Sequence, residues 1–169
     1  EAMVTETPFN LDQFIQDSLS ATEMACGRLL KTLSFVPDDK LHWSPTESSR
    51  SALQIAAHCG GANAAFAKII AGEPMPVSKD PAEFERVRRE AEGIYTDRES
   101  VIKLIEDSTK AVMDAIKNVT PASFGTNPDS PIGPMPMAFW MKLPDTHTQG
   151  HASQIDYLQT TWGDLEDHF

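Results

Sequence analysis

Five histidines punctuate the chain, and three of them sit where a metal ion could use them. His147 and His151 are spaced i, i+4. On a helix that spacing projects both imidazoles from one face, roughly 6 Å apart. His58 interrupts an apolar stripe made by Ile55, Ala62, Ala65 and Ile69. An imidazole buried there without a partner is costly. Three imidazoles aimed into one core are satisfied together by a divalent metal. Three neutral nitrogens bind Zn²⁺, Ni²⁺ or Cu²⁺ and leave coordination positions open for water or substrate. The pair by itself is a weak motif. It is no zincin signature, because Thr148 follows His147 where a Glu would be needed. A lone His58 is more often a core histidine bonded to a backbone carbonyl. The joint inward placement of all three carries the metal reading.

Other residue types offer less. Gln154 lies angularly near the histidine pair, but an amide is too weak a base to take a proton, so it reads as a hydrogen-bonder to a ligand or substrate. Cys59 adjoins His58, yet neighbouring helix positions point about 100° apart, so it reads as packing. Cys26 faces the core. His42, in a polar loop beside Trp43, and His168, near the carboxyl end, read as solvated. The seven methionines read mostly as gap-fillers, the lesser alternative for Met135, Met137 and Met141 being the lining of a pocket mouth. Trp43, Trp140 and Trp162 read as core or rim. No Gly-rich phosphate loop, no Ser-His-Asp set in a recognisable context and no facing pair of carboxylates is legible.

The elements that position these groups follow from proline placement. The twelve prolines leave three long windows untouched, as helix interiors require. In the first window Leu11, Phe14, Ile15, Leu19, Thr22, Cys26, Leu29, Leu30 and Leu33 recur at three and four, ending before Pro37. The second opens on a capping box, Ser51-Ala-Leu-Gln54, and stops at Gly72 and Pro74. The third opens on Thr96-Asp-Arg-Glu99, a second such box, and ends at Pro121. A fourth helix runs from about Met137 to Trp162, with Pro144 either in its first turn or at a kink. A short helix is expected around Pro81 to Ala91, and residues 120–136 read as a loop. No alternating strand pattern and no internal repeat is present. The expectation is an all-α four-helix bundle, one domain over residues 1–169, with long connections between helices two and three and between three and four.

Length and charge agree. A chain of 169 residues is ordinary for one domain. Fourteen Lys and Arg against 25 Asp and Glu give a net charge of −11. Phosphate binding needs clustered cations, so nucleic acid is excluded as a general partner. Arg86, Arg88 and Arg89 form a local cluster, but Glu83, Glu85, Glu90 and Glu92 interleave it, which reads as a solvated helix face. Cys26 and Cys59 in apolar stretches suit a reducing, cytoplasmic setting better than a disulfide framework. No leader is visible and Met3 reads as the natural start. The Ala-rich stretch from Ala52 to Ala71 carries Gln54, His58, Asn63 and Lys68, too polar for a membrane span.

Leu41-His-Trp43-Ser-Pro45, Ser51-Ala-Leu-Gln-Ile-Ala-Ala-His58, His147-Thr-Gln-Gly-His151-Ala-Ser-Gln154-Ile-Asp-Tyr-Leu158 and the closing Trp162-Gly163 together resemble the DinB-like family of damage-inducible four-helix bundles. The resemblance runs through nearly the whole chain. It implies a divalent metal, zinc or nickel, held by His58, His147 and His151. Some members of that family are thiol transferases or isomerases using low-molecular-weight thiols, and others resemble hydrolases. The resemblance therefore implies thiol transfer to a small-molecule electrophile, with hydrolysis next, in a homodimer. Ala152-Ser153 stands where the family often has Arg-Gly, which removes a positive charge. The alternative is a non-catalytic stress-related binding protein with a structural metal or histidine cluster. A structural zinc site is usually closed by four protein ligands. Only three appear here, which favours catalysis.

Overall fold

In the computed structural model, which describes residues 8–76 and 78–168, all the α-helices but the last start where a side chain satisfies one of the first N–H groups. The start expected at Met3 lies outside these residues. Helix α1, Leu11–Phe35, is capped by Asn10, whose side chain accepts from the Gln13 N–H, and it stops before Pro37. A 3₁₀ turn follows at Asp38–Lys40. Helix α2, Ala52–Ile70, has the expected capping box, with Ser51 and Gln54 each bonding the other's backbone N–H. Helix α3, Pro81–Glu92, is capped by Asp80 with proline in its first turn.

Helix α4, Arg98–Lys117, corrects one expectation. Its cap is Asp97, which accepts from the Ser100 N–H, rather than Thr96. A carboxylate there both caps and complements the helix dipole, so Asp97 outcompetes the neighbouring hydroxyl. The expected loop at 120–136 contains a single helical turn, α5, Pro121–Phe124, closed by Thr120 and Ser123. Helix α6, Met137–Thr161, begins well upstream of Pro144 and continues through it. Pro144 has no N–H for the Trp140 carbonyl, a loss that a buried, packed position can carry.

The four long helices, α1, α2, α4 and α6, form the bundle, and no strand occurs among the described residues. Helix α2 packs against α4 and α6, while α1 packs against α6 and α4. The α2–α4 approach is close because Gly60 lacks a side chain; a Cβ there would meet Leu104 Cγ at 2.6 Å. Leu29, Leu33, Leu53, Ile105 and Ile155 fill one end of the core, and Ile69, Val112, Ile116, Trp140 and Met141 the other. Among the described residues no helix is long and apolar enough to cross a membrane.

Two further expectations are corrected. Met137 and Met141 are fully buried in the core rather than at a pocket mouth, because α6 starts early enough to turn both inward with Trp140, and Met135 is partly buried beside them. His168 is buried, not solvated. Gly163, at φ +91, lets the chain turn back after α6. His168 then stacks on Phe35 with ring centroids 4.1 Å apart and bonds Asp164 at 2.7 Å. His42 is exposed, as expected. Both cysteines are buried and unpaired in any disulfide, and burial pushes both thiols up from their ordinary range.

Candidate metal centre

Helix α2 supplies His58 and α6 supplies His147 and His151, and packing α2 against α6 brings the three rings together. One ring nitrogen from each lies within 4.8 Å of the others. The ring centroids are 4.4 to 5.0 Å apart. His58 is buried, and its partners are half-buried. No Cys, Asp or Glu joins the group among the described residues.

The outer nitrogens decide what the inner ones present. His58 Nδ1 lies 2.6 Å from Glu92 Oε1. A carboxylate accepts, so Nδ1 carries the proton and Nε2 is left with a lone pair. Arg50 Nη2 stands 3.3 Å from Glu92 Oε2, and Arg88 Nε stands 4.0 Å from Oε1, balancing the carboxylate charge. His151 Nδ1 lies 2.6 Å from Gln154 Oε1, which likewise accepts and leaves the His151 Nε2 lone pair pointing elsewhere. His147 Nε2 meets His58 Nε2 at 3.2 Å.

Such a set fits a cation. Two tautomers are fixed with lone pairs available, and facing lone pairs repel unless a proton or a metal ion lies between them. Burial, and then the proximity of His151 and His58, hold His147 down at about 3. Burial also lowers His151, against an opposing bond to Gln154. Both are therefore neutral near pH 7, the form in which imidazole ligates. Three neutral nitrogens suit zinc, nickel or copper.

Two hollows flank the cluster. One, of about 540 Å³, is lined by His58 and His147 and is otherwise largely apolar. The other, of about 520 Å³, is lined by His151, Gln154, Ser48, Ser49, Arg50 and Arg89. The histidines thus stand between an apolar side and a polar, basic side.

The structure brings together all three histidines singled out by their spacing and puts Gln154 behind one of them. Cys59 is buried packing, and His42 and His168 take no part. Glu92 is the residue that sequence reasoning missed. It was expected on a solvated face with Arg86, Arg88 and Arg89. Arg86 and Glu90 do pair in solvent, but Glu92 is only 8% exposed. Docking of α3 on α2 picks out one glutamate from an evenly charged helix. The available signal was the i, i+4, i+8 row Phe84, Arg88 and Glu92, which shares one face of α3.

The family model of the DinB superfamily matches residues 21–155. That span holds the three histidines, Glu92 and Gln154. No curated protein matches the chain. With the match covering most of its length and a purely helical bundle beneath it, the chain belongs to the DinB superfamily.

Proposed function

We propose that His58, His147 and His151 hold one divalent ion, zinc or nickel, and that the centre serves transfer of a low-molecular-weight thiol to a small-molecule electrophile. The observation that carries this reading is the convergence of three imidazoles whose outer nitrogens are pinned, at His58 and His151, by Glu92 and Gln154. Hydrolysis of a small molecule is the neighbouring chemistry for the same centre. A divalent ion there would supply Lewis acidity, which lowers the proton affinity of a coordinated thiol or water.

The chain's own residues do the rest. Glu92 keeps His58 in the tautomer that offers Nε2. Arg50, half-buried beside it, holds that carboxylate in place. Glu92 is committed to His58 and to two guanidiniums, so it orients rather than abstracts protons. Gln154 performs the corresponding task for His151. The number of ligands separates catalysis from a structural role. A closed structural site uses four protein ligands, whereas the cluster stops at three among the described residues and has a cavity on its flank.

Elemental analysis of untagged protein tests the metal. About one divalent ion per chain is expected. The His147→Ala, His151→Ala double variant should lose it, and His42→Ala should keep it. Equal metal in wild type and double variant overturns the reading. A thiol-conjugation screen tests the reaction: metal-loaded protein that conjugates no thiol and hydrolyses no ester or amide would shift the assignment to the structural alternative.

A further inference from the structure

The polar hollow on the His151 side of the cluster runs against the charge of the whole chain. The chain carries 25 Asp and Glu against 14 Lys and Arg. Among the described residues no Asp or Glu lines this hollow, yet Arg50 and Arg89 both do. The carboxylates stand behind it. Arg50 and Arg88 each meet Glu85 and Glu92, and Arg89 meets Glu85. Three guanidiniums therefore share two carboxylates, which leaves one positive charge unbalanced within the group. Arg88 lines the apolar hollow instead, so the cations on the polar side are Arg50 and Arg89.

Both are within reach of a ligand, since Arg50 is half-buried and Arg89 exposed. Arg50 meets its carboxylates through Nη2. Arg89 meets Glu85 through Nε and the Ser48 carbonyl through Nη1. A guanidinium carries five N–H groups, so these bonds leave donors on each. The Arg89–Ser48 bond also ties α3 to the loop ahead of α2, which restrains the exposed cation. Ile55 and Leu158 add apolar surface to the same wall, and His151 and Gln154 bring the edge of the histidine cluster into it. The combination suits a short molecule with an anion at one end and methylenes between it and the group that meets the histidines. A planar carboxylate matches the guanidinium fork.

We propose that the polar hollow binds the carboxylate end of an anionic low-molecular-weight thiol at Arg50 and Arg89, with its sulfur on the His151 side of the cluster. The sulfur's role rests on the thiol-transfer reading; the carboxylate's rests on the hollow alone.

Two titrations test this. Cobalt-substituted protein is titrated with 3-mercaptopropionate, 2-mercaptoethanol and cysteamine, whose tails are anionic, neutral and cationic, and the thiolate-to-cobalt charge-transfer band is followed. 3-Mercaptopropionate should bind at about 3- to 10-fold lower concentration than 2-mercaptoethanol, and cysteamine more weakly than either. A neighbouring carboxylate makes a thiol less acidic, so this preference cannot come from a larger thiolate fraction. Arg89→Gln should erase most of it, and Arg86→Gln, whose partner is Glu90 in solvent, should leave it. The second titration follows purified protein without added metal by ¹H–¹⁵N NMR. 3-(Methylthio)propionate, which keeps the carboxylate and forms no thiolate, should saturably shift the Ser48, Ser49 and Gly150 amides and the Arg89 Nε–H, and its methyl ester should not. Equal affinity for the three thiols, or acid and ester shifting alike, overturns the carboxylate subsite and leaves thiol transfer standing. No band with any thiol, beside shifts specific to the acid, overturns the thiol reading while the carboxylate site stands. Inorganic phosphate acting on the same amides at lower concentration than the acid would overturn the assignment to a carboxylate.

Discussion

Replacing Glu92 is the sharpest test of how the centre is built. In Glu92→Ala, the His58 Nδ1 proton loses an acceptor at 2.6 Å in a site where both side chains are less than a tenth exposed. Water has little access to replace it. The ring can then rotate or adopt the other tautomer, which puts a proton on the nitrogen needed for ligation. Arg50 and Arg88 keep Glu85 but lose the carboxylate that faces His58, and the more positive surroundings disfavour a nearby cation. A bond of this charge-assisted kind contributes roughly 1.5–3 kcal/mol. At about 1.4 kcal/mol per decade, that is a loss of about 10- to 100-fold in metal affinity. Glu92→Gln keeps an acceptor oxygen and loses only the charge, so its affinity should fall between wild type and Glu92→Ala. Competition titration against a chromophoric zinc chelator, with circular dichroism to show that both variants fold, provides the readout. Wild-type affinity in a folded Glu92→Ala protein would refute the argument that Glu92 positions His58.

Metal-free protein should lose stability as the pH drops from about 6.5 towards about 3, because His147 stays neutral when folded and takes up a proton when unfolded. The contribution is about 1.4 kcal/mol per pH unit in that window and absent above it. Urea unfolding of wild type against His147→Leu isolates it, and parallel pH profiles would refute the assignment. Gly60→Ala should destabilise despite better helix propensity, since the added Cβ would lie 2.6 Å from Leu104 Cγ. A net cost of about 1 kcal/mol or more is expected from overpacking, and a raised melting temperature would contradict the close α2–α4 approach. A homodimer is the expected assembly, and light scattering that gives a concentration-independent monomer mass would exclude it.

The bundle was legible because its long helices obey a single period and, Pro144 in α6 apart, its prolines lie outside their interiors. The Ser51–Gln54 box was legible because both reciprocal bonds are local. The histidines were legible for a related reason: His147 and His151 share a face by spacing alone, and His58 stands out in an alanine-rich stripe. What could not be read was set by distant pieces of chain. Glu92 looks like any other charge on α3 until α3 docks. His168 looks like a solvated tail until Gly163 turns it onto Phe35. The start of α6 hung on Pro144, and the inward burial of Met137 and Met141 hung on that start.

Helix α3 buries a single residue, and that residue is Glu92. Its inner edge is held mostly by ion pairs, among them Arg50 with Glu85 and Glu92. Such a segment has a low free energy of local opening, because few apolar contacts oppose it and salt screens what remains. The same segment forms one wall of the apolar hollow, through Phe84, Arg88 and Ala91. Amide exchange should therefore be fastest here among the helices that border the histidines, and faster still at high ionic strength. Each opening that exposes the hollow also releases His58 from its carboxylate, so access to the site and the readiness of its metal ligand are tied to one fluctuating helix.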